Sequence, residues 1–469
     1  MKIFKSTITD RLMEALNKFN DQSDYMEIRL EETRRLSVNY NEKGIKRLGH
    51  DEKIGGCVRA CFNGGWGFSS FTDLSKINTS AAEAIESAKI LGQSKTNLAD
   101  VPAVDEHVAL QLLNDPRNRT LESKLNILES YLECFKRYPS ELLKACRITY
   151  TEEFKGMVFA NSQGSFVSQE NLAMDLTLVA IAIQHGNPTM MMRILNSARD
   201  ADFLLNKESL IKEVCDEAIL FSNAKPMSAG DFPVILDSVL AGTLAHESFG
   251  HTSEADLFAS SPGGRETLRL GRQFGRECLN IYDTGLMHNY SGSMKYDDEG
   301  VATSHTKLIE KGVLVGRLHN RETAAEFNEP VTGNARAVGY WFPPIVRMRN
   351  TCIAPGEQDF DDLLEGISDG VYAIGMHGGH GGENFSFIPA GGYRIRNGKL
   401  SEPVKSFSIS GNLFKTLKEI DGITGLNDFG TLAASGENGG CGKFDQWPLP
   451  VGMSAPRVRI QSVTVGGIA

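Results

Sequence analysis

The sequence lacks long hydrophobic runs. No stretch of about 18 apolar residues, the length that spans a bilayer, occurs, and the best candidate, residues 232–245, is interrupted by Asp237. Residues 1–20 contain no apolar core of the kind that secretion signals carry. We therefore expect a cytoplasmic protein with no membrane partner.

Closely paired cysteines are also missing. The eight Cys are scattered along 469 residues and no Cys-x-x-Cys pair occurs, which excludes zinc ribbons and thioredoxin-type redox motifs. A chain of this length buries enough surface to fold without disulfides. We expect reduced, mostly buried thiols, with Cys441 as an exception on grounds given below.

The chain has fewer basic residues than acidic ones. The chain has 49 Lys and Arg against 59 Asp and Glu, a formal net charge of −10. Proteins that bind a nucleic-acid backbone are normally basic, so we expect no nucleic-acid partner. The 41% hydrophobic and 23% charged residues exclude collagen, a coiled-coil rod and wholesale disorder.

Apolar periodicity divides the chain into two parts. The first part alternates strand-like stretches with amphipathic helices, predicted at residues 7–20, 79–91, 121–137 and 207–221. In the second part, short strand-like runs are separated by glycines, and one helix runs from Asp237 toward His251. We predict an α+β fold: an N-terminal layered α/β domain, 1–225, and a β-rich C-terminal domain, 226–469, that carries this helix.

The predicted helix contains the motif His246-Glu247-Ser248-Phe249-Gly250-His251, one residue longer than the His-Glu-x-x-His zinc signature. Histidines four residues apart share a helix face, whereas a spacing of five places them about 140° apart on a regular helix. A π-turn would return both to one face; alternatively, the helix ends at Gly250 and His251 swings back. Either way, we predict irregular backbone between Phe249 and His251.

A catalytic zinc site needs three protein ligands and an open position. Sequence distance leaves the third ligand open among Glu254, Asp256, His288, His305, His319, His377, His380 and Cys441. Cys441 has the most distinctive setting, because flanking glycines let the backbone approach a metal and nearby Lys443 favours the thiolate. Two imidazoles and a thiolate favour Zn²⁺ over magnesium or calcium. Glu247 is then free to be the general base that takes a proton from water.

Other polar residues near the motif have two interpretations each. Glu254 and Asp256 orient the metal-binding histidines as hydrogen-bond acceptors, or they form helix caps and loop salt bridges. His377 and His380 hydrogen-bond a tetrahedral intermediate, or they are structural or solvent-facing.

Four segments outside the motif have candidate roles. The glycine-rich segments 375–382 and 436–440 expose backbone to which an extended peptide adds as a strand, or they are ordinary turns. Residues 252–275 have weak periodicity, and we expect them to form a mobile lid over the site. The aromatic cluster Tyr340-Trp341-Phe342 is either core or an interface.

The motif, followed by Glu254-x-Asp256, resembles the metal motif of the TldD/PmbA metallopeptidases. Further segments are similar to family segments in the same order: residues 296–300, 308–314, 332–336, 410–412 and 441–443. Residues 55–75 resemble the family's N-terminal hairpin. The resemblance covers most of the chain and is strongest after Phe232.

The resemblance implies that His246, His251 and Cys441 bind zinc and that Glu247 is the catalytic base. It also implies a dimer, with a second copy or a paralogue, enclosing a cavity that admits unfolded or extended peptides. This chain keeps every element of the motif and so resembles the catalytic type. Two alternatives stay open: a non-catalytic peptide-binding subunit with a vestigial or structural metal site beside an active paralogue, and a β-rich assembly protein with two incidental histidines.

Overall fold

The computed structural model describes residues 1–287, 290–434 and 439–467. His288 and residues 436–438 of the predicted glycine-rich wall lie outside these ranges. Within them, no helix has the length and apolar character needed to cross a bilayer.

The first part of the chain forms one large sheet with helices packed on it. Its elements are α1 (Ser6–Phe19), β1 (Tyr25–Asn41), β2 (Gly44–Phe62), β3 (Gly65–Phe71), α2 (Ile77–Leu91), β4 (Asp105–Val108), α3 (Leu121–Lys136), β5 (Leu143–Asn161), β6 (Phe166–Gln184), β7 (Asn187–Ser197) and α4 (Glu208–Ser222). The strands pair in the order β3-β2-β1-β5-β6-β4, with β7 also on β6. Asn63 and Gly64, both with positive φ, make the tight β2–β3 turn, as Asn-Gly predicts.

The two faces of this sheet have different partners. Even-numbered residues of β1, such as Met26 and Ile28, pack under α1 and α2, and Val38 and Tyr40 pack near α3 and α4. Odd-numbered residues face the second part of the chain, where Arg29 donates hydrogen bonds to the carbonyl oxygens of the 339–342 loop. Both faces are therefore buried, one by apolar contacts and the other largely by polar ones.

The second part of the chain is rich in strands. Its elements up to residue 374 are β8 (Gly230–Leu236), α5 (Ser238–Leu244), a π-helix (Ala245–Gly250), α6 (Pro262–Thr267), β9 (Ile281–Thr284), β10 (His305–Glu310), β11 (Val313–Leu314), α7 (Arg321–Phe327), β12 (Ala335–Arg336), β13 (Ile345–Val346), β14 (Asn350–Ile353), α8 (Phe360–Leu364) and β15 (Asp369–Ile374). The remaining elements are β16 (Gly378–His380), β17 (Asn384–Ile388), β18 (Gly391–Arg396), β19 (Lys399–Lys405), β20 (Phe407–Asn412), α9 (Leu413–Glu419), β21 (Ile420–Ile423), β22 (Gly430–Ala434), β23 (Cys441–Lys443), β24 (Gln446–Leu449), β25 (Val451–Ala455) and β26 (Val458–Gly467).

Two sheets of the second part enclose the motif helix. The larger sheet has the order β16-β17-β20-β26-β8-β15-β18-β19, with β21 on β26, and the smaller has the order β11-β10-β9-β14-β25-β22. Helix α5 contacts strands of both sheets, and the π-helix contacts β14. One apolar core runs through both sheets and α5. The architecture confirms the predicted α+β class; the domain boundary at residue 225 stays a prediction.

Candidate metal centre

A π-helix places the two motif histidines on the same side. Asp237 caps the start of helix α5, because its carboxylate accepts a hydrogen bond from the Leu240 amide (2.8 Å). The helix continues directly into the π-helix Ala245–Gly250. The wider turn brings the rings of His246 and His251 to a centroid distance of 5.3 Å. The prediction of irregular backbone here is confirmed, and of its two forms the chain adopts the π-turn.

Gly250 allows the π-helix to lie close to the strand region before β14. A Cβ atom at Gly250 would lie 2.0 Å from the Met348 sulfur, far inside van der Waals contact. Any larger residue would push the motif away from β14, which holds a contact to His246 described below.

The hairpin β23–β24 brings Cys441 to the two histidines. Its sulfur lies 3.3 Å from His251 Nε2, and one ligand atom from each of His246, His251 and Cys441 lies within 4.8 Å of the others. His246 is fully buried and its Nε2 has no partner among the described residues. Because buried polar atoms are normally satisfied, this nitrogen fits a cation bound between the three side chains. Such a set leaves one position open on a tetrahedral metal.

The protonation states of Cys441 and His251 depend on the groups around them. Burial alone would raise the pKa of the Cys441 thiol, but the neighbouring His246 and His251 lower it to about 5. Burial acts to lower the pKa of His251, yet hydrogen bonds and charges from Cys441 and Glu254 raise it to about 10. Without a metal, the site therefore holds a thiolate next to an imidazolium, and a metal cation can replace the imidazolium proton.

Glu254 contacts the His251 ring nitrogen that faces away from Cys441. It is fully buried, and its carboxylate lies 3.3 Å from His251 Nδ1 and 3.1 Å from Lys443 Nζ. Burial would raise its pKa, but His251 and then Lys443 lower it to about 2. A carboxylate on Nδ1 leaves Nε2 directed at Cys441, the arrangement that orients metal-binding histidines. Each of the two interpretations of Glu254 thus has a direct contact in its favour, His251 for the first and the Lys443 salt bridge for the second.

Thr351 and Asp283 support His246, and sequence reasoning missed both. The Thr351 hydroxyl donates to Asp283 Oδ2 (3.1 Å) and presents its oxygen 3.5 Å from His246 Nδ1. Thr351 belongs to β14 and Asp283 to β9, which pair side by side. No local motif marks either residue, because only the pairing of these strands beside the π-helix brings them to the site.

Glu247 stands at the open side of the cluster. Its side chain is 33% exposed and its Oε2 lies 3.9 Å from His251 Nε2. Its carbonyl oxygen accepts a hydrogen bond from the Gly382 amide (3.0 Å), and a Cβ atom at Gly381 would lie 2.2 Å from the same oxygen. The glycine-rich segment therefore packs directly against the backbone of the predicted base.

The other predicted residues lie in different surroundings. Asp256 accepts a hydrogen bond from Lys443 Nζ (2.5 Å) and one from the Val346 amide, with no contact to a histidine among the described residues. His377 Nε2 lies 2.7 Å from the Met190 carbonyl oxygen, and His380 is exposed.

Two further candidates for the third ligand, His305 and His319, lie apart from the cluster. His319 contacts Thr323 and Glu329 through its two nitrogens, and His305 is exposed and lies against the Tyr282 ring. Of the candidates within the described ranges, only Cys441 joins His246 and His251 in the cluster. His288 lies outside those ranges.

The segment 252–275 is tied to the core at several points. Four of its side chains are buried in the apolar core: Ala255, Phe258, Leu268 and Phe274. Between them, α6 carries no buried residue. Movement of the whole segment would expose these side chains. The lid stays a prediction, and amide protection in hydrogen exchange, with and without peptide, tests it.

Comparison with known proteins points to one family. Residues 229–467 match the PmbA/TldA metallopeptidase C-terminal domain, and residues 26–90 match domain 1 of the same metallopeptidases. A metalloprotease of Synechocystis is 36% identical over 99% of both chains. A zinc metalloprotease TldD homolog of Saccharolobus solfataricus is 30% identical over 90% of this chain and 92% of its own.

Solved structures share the fold. A Thermotoga maritima protein described as a modulator of a DNA gyrase superposes with a TM-score of 0.78 at 22% identity, covering 98% of this chain and 100% of its own. TldE from Thermococcus kodakarensis superposes with a TM-score of 0.74 at 17% identity, covering 97% and 100%. At these identities the likeness concerns the fold alone.

Proposed function

The chain belongs to the PmbA/TldA metallopeptidase family, and from this premise we propose that it is a zinc-dependent peptidase acting on unfolded or extended peptides. One observation carries the proposal. His246, His251 and Cys441, from segments nearly 200 residues apart in sequence, converge around the buried and unpartnered Nε2 of His246.

Zinc is the metal that this donor set fits best. Two imidazole nitrogens and a thiolate suit zinc and leave a fourth position for water or substrate. A zinc ion held there supplies Lewis acidity toward a peptide carbonyl and lowers the pKa of water. Glu254 and Thr351 keep the two imidazoles oriented, as described above.

Glu247 moves the proton in this proposal. Its carboxylate is partly exposed on the same π-helix as the ligands and lies beside His251. It takes a proton from the attacking water as the water oxygen bonds to the peptide carbonyl carbon. When the C–N bond breaks, Glu247 returns the proton to the departing amine, so it ends each turnover as a carboxylate.

The glycine-rich strand β16 is the proposed binding edge for the peptide. It is the terminal strand of the larger sheet and pairs only with β17 among the described strands. An extended peptide can add to such an edge through main-chain hydrogen bonds. Because β16 leads directly into the contact between Gly381 and Glu247, a peptide on this edge lies beside the base. Recognition through main-chain atoms implies broad specificity.

We also propose the dimer that the family resemblance implies, formed with a second copy or with a paralogue. The cytoplasmic location and the absence of a nucleic-acid partner are retained from the sequence as proposals; the net charge of −10 agrees with the second.

Metal content is the first test. The native protein, Cys441→Ala and the control Cys278→Ala, which changes an exposed thiol, are purified in parallel. We expect about one zinc per chain in the native and control proteins and none in Cys441→Ala, since a three-ligand site loses its thiolate. Hydrolysis of unfolded peptides should follow zinc content.

Two outcomes contradict the proposal. Absence of metal from the native protein, even after zinc is supplied, removes the enzyme function. Zinc bound without hydrolysis, alone or with a paralogue whose own site has been disabled, identifies the chain as the non-catalytic peptide-binding subunit.

A further inference from the structure

A cavity separate from the metal cluster lies between the two parts of the chain. It measures about 350 Å³, within the usual range of small-molecule pockets, and its floor is the polar face of the first sheet, including Thr151 and Lys155. Its other walls come from residues 336–342 and 447–450 and from Arg349. None of the three cluster residues lines it.

Two buried arginines line this cavity without an acidic partner. Arg349 is 1% exposed and Arg336 is 6% exposed. Their guanidinium groups donate only to backbone carbonyls: Arg336 to Met348 and Pro450, Arg349 to Gly333 and Gly292. Within the described ranges, neither forms an ion pair with a carboxylate, although buried charges are normally paired.

The three carboxylates that act on Arg349 are bonded to other groups, and the cavity lining itself includes the acidic residues Glu31, Glu153, Asp175 and Asp298. Burial lowers the pKa of Arg349, and the charges of Asp297, Asp298 and Asp283 act to raise it without a direct contact to its guanidinium group. The carboxylate oxygens of each are bonded to other groups. Asp297 accepts three backbone amides, Asp298 accepts the Ala337 amide and pairs with Arg29, and Asp283 accepts Asn334, Thr351 and the Arg349 amide. The side-chain charges of the two arginines are therefore left without a bonded anion.

Two observations show that the charges around the arginine pair are not fully balanced by a bonded partner. The Nη2 atom of Arg349 is buried and has no hydrogen-bond acceptor among the described residues. Burial, followed by repulsion from Arg349, lowers the pKa of Arg336 to about 9. A planar oxyanion matches the fork of a guanidinium group and would satisfy both.

We propose that this cavity binds a small ligand carrying an oxyanion, a carboxylate or a phosphate, held by Arg336 and Arg349. Tyr340, Trp341 and Trp447 line the same cavity and offer apolar surface to the rest of the ligand. This site does not depend on the proposed peptidase function, since its residues are distinct from the metal cluster. The oxyanion has two sources to be separated: the C-terminal carboxylate of a peptide, or a free small anion.

Tryptophan fluorescence provides a local signal for the test. The chain has three Trp, of which Trp341 and Trp447 line the cavity while Trp66 lies in β3. The full-length protein is titrated at constant ionic strength with inorganic phosphate, an N-acetylated tripeptide acid and the matching tripeptide amide. We expect a saturable fluorescence change with phosphate or with the acid. A response to the acid but not the amide assigns a peptide terminus; a response to phosphate alone assigns a free anion.

Variants locate the binding. Arg349→Met should bind the anion about 10- to 100-fold more weakly, the effect of losing charge-assisted hydrogen bonds. The control Arg137→Met removes one highly exposed arginine and should bind normally. Cys441→Ala should also bind normally, which separates this site from anion binding at a metal. If Arg349→Met does not fold, Arg336→Met takes its place.

The native titration and the variants can each overturn the proposal. If neither phosphate nor the tripeptide acid gives a saturable signal in the native protein, the proposal is wrong. It is equally wrong if binding is unchanged in both Arg349→Met and Arg336→Met, or if it disappears in Cys441→Ala while both arginine variants retain it.

Discussion

The ammonium group of Lys443 lies 3.1 Å from the carboxylate of Glu254, and both side chains are buried. Glu254 follows the motif helix and contacts His251, whereas Lys443 stands two residues after Cys441 in the β23–β24 hairpin. This ion pair therefore joins the two distant segments that supply the predicted metal ligands. It is a buried cross-link between them, formed by charge and not by a covalent bond.

Replacing Lys443 by Met tests the role of the Lys443–Glu254 ion pair. The change removes the ammonium group from Glu254 while keeping most of the side-chain volume. The Glu254 carboxylate that accepts from His251 is then held less firmly. We expect zinc affinity to fall about 10- to 100-fold, the usual effect of removing a residue that orients a metal ligand. Competition with a chromophoric chelator measures it.

A surface lysine supplies the matched control for Lys443. Lys212→Met removes an exposed ion pair with Asp216 and should leave zinc affinity unchanged, since such pairs contribute little. Native zinc affinity in a folded Lys443→Met protein would show that the Lys443–Glu254 ion pair has no role in the metal site.

Glu247→Gln tests the proton transfer. Gln keeps the size of the side chain but accepts no proton at neutral pH, so we expect kcat to fall about 10²- to 10⁴-fold, the range attributed to general acid–base catalysis. Zinc content and thermal stability should stay at native values. Glu383→Gln, which changes an exposed acidic residue directly after the same glycine-rich segment, is the control and should keep native activity. Full activity in Glu247→Gln would remove Glu247 from the role of base.

The sequence predicted the motif geometry because the histidine spacing left few solutions. Two histidines five residues apart can meet only if the backbone between them departs from a regular helix, and the π-helix at Ala245–Gly250 is that departure. Cys441 could also be singled out among the candidate third ligands from the sequence, because glycines on both sides of a cysteine are uncommon. Each signal is local, because it is contained within a few consecutive residues of the chain.

Long-range contacts were not predictable in the same way. Lys443 was expected to favour the Cys441 thiolate, but its ammonium group binds Glu254 and Asp256, and the lowered thiol pKa comes from the two imidazoles. The sequence left Asp256 between orienting a histidine and forming a loop salt bridge, and in the structure its carboxylate accepts a hydrogen bond from Lys443. Each outcome depends on which strands pair, which one sequence alone does not give.

The polar face of the first sheet is covered by the second part of the chain. The alternation around Glu27 and Arg29 is typical of a strand with one face in water, yet both residues are buried in the structure. Arg29 is used to hold the 339–342 loop. A second layer of the same chain had taken the place of solvent, and charged residues paired across it.

Gly381→Ala tests the contact between the glycine-rich segment and the base. The added methyl group would lie 2.2 Å from the Glu247 carbonyl oxygen, so either that backbone or the segment must move. We expect the free energy of unfolding to fall by about 1–3 kcal/mol, as for other overpacked sites. We expect kcat/KM to fall about 100-fold, because a shift near 1 Å misplaces the base.

Gly378→Ala is the matched control on the same segment. A Cβ atom there has no neighbour within 4 Å, and its φ is not in the left-handed region. This variant should keep native stability and native kcat, and because Gly378 lies in β16, the proposed peptide edge, any effect should be confined to KM. Equal effects of the two substitutions would mean that the segment influences activity through its own flexibility and that its contact with Glu247 is immaterial.

The charge state of Cys441 gives the pH dependence of the metal-free site. Its pKa is lowered to about 5, so the thiolate is present above that pH and is lost as the pH falls through it. Burial raises the pKa of the other seven thiols: Cys57, Cys61, Cys134, Cys146, Cys215, Cys278 and Cys352. Ultraviolet absorbance of metal-free protein should therefore show one thiolate appearing with a midpoint near pH 5.

The same pH dependence predicts which proton a metal displaces. Between about pH 5 and pH 10, Cys441 is already a thiolate and His251 carries the proton, and metal binding requires the neutral imidazole. Zinc affinity should rise about tenfold per pH unit across the neutral range and level off only near pH 10, because one proton leaves with each metal bound. In Cys441→Ser the low-pH thiolate signal should vanish. A first thiolate appearing only above about pH 8 in the native protein, the range of an ordinary cysteine, would contradict the paired thiolate and imidazolium.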